Sequence, residues 1–213
     1  MNFRILFLSL FSVLFLTFST ASAQQSPEEF VTSLMEQAKE ISNLEEWHDA
    51  APVEREREHQ RLKEDALLYL IERNFDIKRV GRFVLGRYWR RATFKQQNEF
   101  LDVFKLAAVR TFSPLLKDVP LDTFKIVRIQ WSNSDMIEVF VFSTIEPEKN
   151  KTIKIRWRLW KAYSLEGYKV IDITAEGVSL IVTLRSEYTS FIKRNGGIDS
   201  LITELRKKAN EKR

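Results

Sequence analysis

The apolar residues of this chain repeat at two different periods, and the change comes at one place. As far as Pro114 they recur every three or four positions; beyond Pro120 they recur every second one. The first period buries a stripe of a helix and the second buries one face of a strand, so the sequence predicts helices first and a sheet after them. Ser26-Pro27-Glu28-Glu29 reads as a helix start, with Ser26 as cap, Pro27 in the first turn and Glu29 closing a capping box. Phe30, Leu34, Ala38 and Ile41 then share a face. After a polar connection over 43–52, a second helix opens on alternating charge (54–58) and continues with a buried stripe of Leu62, Ala66, Leu67, Leu70 and Ile71. Asp76 is placed to cap a third helix, which passes through Val80, Phe83 and Val84 and stops at Gly86. Thr93 and Gln96 form another capping box ahead of Phe100, Leu101, Phe104, Ala107, Ala108 and Phe112, and Pro114 is expected to end that helix.

The two-residue period predicts strands over 124–131, 136–145, 153–160 and 168–174. The second is apolar on both faces at its centre, Val139 to Phe142. In the third, Ile153, Ile155, Trp157 and Leu159 alternate with Lys154, Arg156, Arg158 and Trp160, the signature of one face on a core and one toward water. Turns at 146–150 and at Glu166-Gly167 are short enough for an antiparallel meander. A helix over 178–194 follows, stopped by Gly196-Gly197, and Asp199 is placed to cap a last one holding Leu201, Ile202 and Leu205. The basic tail over 206–213 is expected to fray. The fold class is α+β: N-terminal helices, a four-stranded antiparallel sheet, and two C-terminal helices closing over one sheet face.

Residues 1–23 read as an export signal. Arg4 supplies the positive region, Ile5 to Phe18 the apolar stretch, and Ala21-Ser22-Ala23 a cleavage site. The apolar run of 14 residues is shorter than the roughly 17–25 that span a bilayer. Residues 24–213 then form one domain. No cysteine occurs in the chain, so lipid attachment through a thiol is excluded and the exported fold holds together by packing alone. Net charge is +5, from 34 basic and 29 acidic residues. That mixed balance, together with export, argues against nucleic acid as a partner and fits contact with an anionic surface.

No catalytic constellation stands out. His48 and His59 lack metal-ligand spacing, and neither a G-x-S-x-G elbow nor a phosphate-binding glycine loop is present. Asp172 and Glu176 are the carboxylates on which an isomerase or hydrolase acting in an apolar pocket would depend. The plainer expectation is that Asp172 faces solvent, opposite Ile171 and Ile173, and that Glu176 caps the following helix.

Three blocks carry a family likeness. The first is Phe75-Asp76 with the run Phe83 to Thr93, then Gln97, Phe100 and Phe104. The second is the run Ile173 to Leu180 with Arg185-Ser186-Glu187-Tyr188. The third is Gly196-Gly197-Ile198-Asp199 with Leu201, Ile202 and Leu205. In this order, and over about 26–209, they resemble the MlaC (toluene-tolerance) family of periplasmic phospholipid-binding proteins. The resemblance implies a twisted antiparallel sheet and helices enclosing an apolar cavity. It also implies a monomeric periplasmic carrier without catalytic activity, metal or cofactor. Its cargo would be phospholipid, carried between an inner-membrane lipid ABC-transporter complex and an outer-membrane lipoprotein complex to maintain lipid asymmetry. The run Arg156-Trp157-Arg158-Leu159-Trp160 is more basic and aromatic than the family pattern.

The physics of such cargo sets the candidate site. At about 0.8 kcal/mol per CH₂, two acyl tails in water forfeit on the order of 20 kcal/mol, so the carrier needs a closed apolar container. Candidate lining residues are Phe83, Val84, Tyr88, Phe100 and Phe104 from the helices, with Val139, Val141, Ile153, Ile155 and Trp157 from the sheet. Arg87, Arg90 and Arg91, next to the Gly86 break, are candidates for head-group contact or docking. A module whose apolar face docks another protein, over a filled core, is a further reading of the same pattern.

Overall fold

The computed structural model describes residues 25–44, 52–116, 120–132, 137–149, 151–162 and 167–210. The signal segment over 1–23, His48 and most of the 43–52 connection lie outside them. Helix α1, Pro27–Ser42, starts at the expected capping box: Ser26 Oγ accepts from Glu29 N–H at 3.1 Å, and Glu29 Oε2 accepts from Ser26 N–H at 2.7 Å. Helix α2 is Pro52–Asn74 and α3 is Ile77–Leu85, the latter capped by Asp76, whose carboxylate accepts from Arg79 N–H at 2.9 Å. Gly86 ends α3 at φ +53°, ψ −118°, a conformation that a side chain would strain. A short helix that the sequence pattern did not reveal, α4 (Arg87–Arg91), follows directly. The Thr93–Gln96 capping box forms as expected, with bonds of 2.9 and 3.2 Å, and opens α5, Phe94–Leu116. Pro114 does not end α5; a proline costs the last turn one bond, and the helix runs two residues past it.

After a 3₁₀ turn at Leu121–Thr123, five strands form one antiparallel meander in chain order. They are β1 Lys125–Trp131, β2 Glu138–Glu148, β3 Lys151–Ala162, β4 Gly167–Ala175 and β5 Val178–Ser179. Four were expected; the fifth takes the two residues assigned to the start of the next helix. β2 also runs through Pro147 to Glu148, so its turn is tighter than the 146–150 reading. Helix α6 is Leu180–Asn195 and α7 is Ile198–Asn210. Gly196 closes α6 in the left-handed region. Asp199 lies inside the first turn of α7 rather than before it, and its carboxylate accepts from Gln96 Nε2 at 2.9 and 3.0 Å. The basic residues from Arg206 to Lys208 are helical, not frayed.

Two apolar clusters hold these elements. In the first, the inner face of the sheet (Val139, Val141, Trp157, Leu159, Tyr168, Val170) packs on Phe30, Val31, Leu34 and Ala38 of α1, Leu67, Leu70 and Ile71 of α2, and Val109 of α5. The second joins Val80, Val84 and Leu85 of α3, Trp89 of α4, Phe100, Val103, Phe104 and Ala107 of α5, Ile181 and Ile192 of α6, and Leu201, Ile202 and Leu205 of α7. The inner face of the sheet is therefore closed by α1 and α2 and not by the C-terminal helices, and α5 serves both clusters. Leu62, expected in the buried stripe of α2, is 54% exposed. The end of α1 reaches α2 at Lys63, whose Nζ donates to the Ser42 carbonyl, and Leu62 lies at the limit of that cover.

The edge of β4 is closed by β5 and by a parallel bridge from Phe75 to Val170, with Asp76 N–H donating to Val170 O at 3.1 Å. On the outer face of the sheet, the doubly apolar centre of β2 is covered by cations. The Arg128 guanidinium lies 3.8 Å from the Phe142 ring centre and that of Arg156 lies 5.5 Å from Phe140. Arg158 grips Glu138 through two bonds of 2.8 and 3.0 Å.

Phe100 is fully buried at the meeting of α3, α5 and α6. Truncation to alanine is expected to cost about 3–5 kcal/mol in urea unfolding, whereas Leu62→Ala is expected to stay within about 0.5 kcal/mol. Equal losses would contradict this account of the core.

Candidate functional site

Strand alternation turns the sheet candidates to one side. Val139 stands opposite Leu159, Val141 opposite Trp157, and Trp157 in turn opposite Ile173, so their side chains adjoin on the inner face. Val139 and Val141 are fully buried, Trp157 is nearly so, and Ile155 is half-buried at the margin. Ile153 faces Ile145 toward the far end of the β2–β3 pair and is also half-buried. The Trp157 indole N–H donates to the buried Ser143 hydroxyl at 2.9 Å, which orients the ring and leaves its apolar surface to the layer above. Tyr168 packs near Phe30 and Trp131, with ring centres 6.0 and 6.5 Å away, and burial pushes its phenol above the ordinary tyrosine value.

The helical candidates lie elsewhere. Val84, Phe100 and Phe104 are buried in the second cluster, Tyr88 packs against it half-buried, and Phe83 is exposed. Phe100 and Phe104 stack at 5.4 Å, and Tyr188 meets both edge-on at 6.3 and 6.2 Å. Burial first, and the Glu187 charge second, push the Tyr188 phenol far up. Eight of the ten candidates thus fall into two groups, one in each cluster, while Phe83 and Ile153 belong to neither.

Asp172 does not face solvent. A bulge at Ile171, which has no partner between the Leu159–Val170 and Arg158–Asp172 pairs, turns it to the outer face beside Arg158, and the start of α6 covers that part of the face. Its Oδ2 accepts from the Ser179 hydroxyl at 2.7 Å and its Oδ1 from Ile181 N–H at 3.2 Å. The helix cap is Ser179 itself, whose Oγ accepts from Val182 N–H, and not Glu176. Glu176, at φ +49°, binds β3 instead: its Oε1 accepts from Lys154 N–H and its own N–H donates to Lys154 O. Both carboxylates singled out for chemistry are therefore engaged in holding the β4–α6 corner.

Arg90 and Arg91 are exposed on α4. Arg87 lines a cleft of about 290 Å³ together with Arg185, Thr189, Ser190 and Lys193 of α6. The sequence reading missed the α6 contribution. The signal was there in the spacing, since Arg185, Thr189 and Lys193 recur every fourth residue and so share one side of a helix.

The family model for MlaC protein matches residues 50–207. This chain belongs to the MlaC family. The match starts beyond α1, so one of the two helices that cover the sheet lies outside it. A solved structure of the phospholipid-binding protein from Ralstonia solanacearum, in complex with a phospholipid, is similar across 88% of this chain and 96% of that one, with 21% identity and a TM-score of 0.66. At that identity the likeness establishes the fold. The three family-like sequence blocks fall on α3–α4 with the start of α5, on the β4–β5–α6 corner, and on α7, which is to say around the second cluster.

Replacing Asp172 by alanine leaves the Ser179 hydroxyl and Ile181 N–H without their acceptor and is expected to destabilise the fold by about 1–3 kcal/mol; an unchanged denaturation midpoint would contradict that role. In alkaline titration by ultraviolet absorbance, Tyr168 and Tyr188 are expected to stay protonated past the ordinary value of about 10. The sign follows from folded values raised above unfolded ones. The stabilisation is complete below pH ~10 and is lost as pH climbs toward the folded values, so both phenols are expected to ionise at higher pH in the folded protein than in urea.

Proposed function

We propose that this protein is a periplasmic carrier that holds a glycerophospholipid by its acyl tails under the inner face of the sheet. It shuttles its cargo between an inner-membrane lipid ABC-transporter complex and an outer-membrane lipoprotein complex, so maintaining outer-membrane lipid asymmetry. It does so as a monomer, after loss of residues 1–23, with 24–213 as one lipid-binding domain. The family membership and the phospholipid in the related Ralstonia structure support the cargo class.

The observation that carries the reading is how the seam between the sheet and α1–α2 is fastened. Among the described residues, its polar links lie at the rim. Lys39 of α1 pairs with exposed Asp122 in the 3₁₀ turn. At the end of α2, Lys169 donates to the Arg73 carbonyl beside the Phe75–Val170 bridge. Apart from the Trp157–Ser143 bond, which lies within the sheet and does not cross the seam, the contacts inside are between hydrocarbon side chains, and hydrocarbon contact is non-directional. Acyl tails can replace it without breaking a buried hydrogen bond. The second cluster is fastened differently, with Gln97 bound to the Trp89 carbonyl, Gln96 to Asp199, Arg110 to the Ala209 carbonyl and Arg185 to the Phe83 carbonyl. Parting it would break those bonds.

On this reading Val139, Val141, Ile153, Ile155 and Trp157 meet the tails. Phe83, Val84, Tyr88, Phe100 and Phe104 build the body against which the seam opens. Arg87, Arg90 and Arg91 face outward for head groups or docking. Protein purified without detergent is expected to release phospholipid, near one molecule per chain, into an organic extract read by mass spectrometry. Val141→Trp, which fills the seam, is expected to lose most of that lipid while circular dichroism shows the fold retained. A protein that neither carries lipid nor takes it up from vesicles would end the reading.

A further inference from the structure

From Ile77 to Asn98 the chain carries seven basic residues and no acidic one. Arg79 pairs with Asp76 and Lys95 with Glu99; Arg82, Arg87, Arg90 and Arg91 have no ion pair among the described residues. Opposite them, α6 presents Arg185 and Lys193 on one side, and Glu187 lies on another side of that helix. The cleft of about 290 Å³ lies within this field, and its walls are three cations and two hydroxyls, without a carboxylate. A concave site lined by one sign of charge concentrates the opposite ion.

The two guanidiniums are held in place before any ligand arrives. Arg185 donates through Nη1 to the Phe83 carbonyl at 2.8 Å and lies over the Phe83 ring at 4.9 Å. Its guanidinium also occupies the space a side chain at Gly86 would need, since a Cβ there would come within 2.8 Å of Nη2. Arg87 donates to the Tyr88 hydroxyl at 3.1 Å and lies 5.0 Å from that ring. Each of these bonds uses one donor of the five a guanidinium carries. Lys193, one turn beyond Thr189, completes the set from the last turn of α6.

We infer that the α4–α6 cleft is a binding site for a phosphate group, gripped by Arg87, Arg185 and Lys193 with the Thr189 and Ser190 hydroxyls beside them. Two guanidiniums and an ammonium match the multiple charged oxygens of a phosphate better than a single carboxylate, which would leave positive charge uncompensated. The site is built on the second cluster, away from the sheet seam. It therefore stands whether or not acyl tails occupy that seam, and its test is read on different residues.

The test is a titration of the purified protein with sodium phosphate, and separately with glycerol 3-phosphate, followed by amide resonances. Saturable shifts are expected for Arg87, Thr189, Ser190 and Lys193, weakening as ionic strength rises. The double variant Arg87→Gln/Lys193→Gln, both exposed positions, is expected to bind at least about tenfold more weakly, since it removes two charged donors. Lys207→Gln on α7, with the same charge change per site, is expected to bind within about twofold of the parent by the same reasoning. Vesicles of phosphatidylcholine with and without phosphatidylglycerol then assign the source. Cosedimentation with the anionic vesicles that sodium phosphate competes away supports a lipid head group in the cleft. Saturation by soluble phosphate without vesicle binding supports a soluble phosphate ester. Absence of saturable shifts at α4 and α6, or equal affinities for the double variant and Lys207→Gln, would overturn the inference.

Discussion

A sheet with one apolar face must be covered, and here the covering helices are held over it by hydrocarbon contact, with their polar fastenings to the sheet, among the described residues, at the margin. That arrangement divides the molecule. On the proposed function, the layer between α1–α2 and the sheet is the one that changes its occupants, because dispersion and water exclusion do not specify partners. The second cluster, tied by side-chain amides and guanidiniums to backbone carbonyls, keeps its arrangement. Helix α5 is common to both, burying Phe100, Val103 and Phe104 on one side of the division and Val109 on the other, so the tied cluster directly supports one wall of the layer under the sheet.

The local elements were largely legible in the sequence, because their causes are local. Ser26, Asp76 and Thr93 sit at helix starts for reasons complete within four residues, and strand alternation put Val139, Val141, Ile155 and Trp157 on the correct face. What the sequence did not reveal depends on partners distant along the chain. Periodicity says that a stripe is buried but not against what, so the cover of the sheet was assigned to the C-terminal helices instead of α1 and α2. Asp172 shows the same limit. It does stand on the outer face, through a bulge in β4 that no alternation pattern shows, and the sequence could not tell that the start of α6 covers it there. The two-residue β5 and the five-residue α4 are too short to display a period at all.

The candidate site was legible in type more than in address. An excess of aromatic and branched residues implied apolar volume to house, and of the helical half of the list Phe100 and Phe104 pack on Tyr188 within the second cluster while Phe83 is exposed. The basic cleft shows the reverse. Arg87 was visible beside the Gly86 break, while its companions Arg185 and Lys193 come from α6, some hundred residues later, and only the folded chain brings them together.

The guanidiniums over Phe140 and Phe142 bear on how such a chain survives at high concentration. Bare aromatic rings in the middle of an open sheet face would invite a second copy to stack on the first. Arg128 and Arg156 cover those rings with positive charge, so two such faces brought together repel instead of adhering. The side of the sheet that meets water is thereby kept from self-association, so the one apolar sheet face is free to serve contacts within the fold.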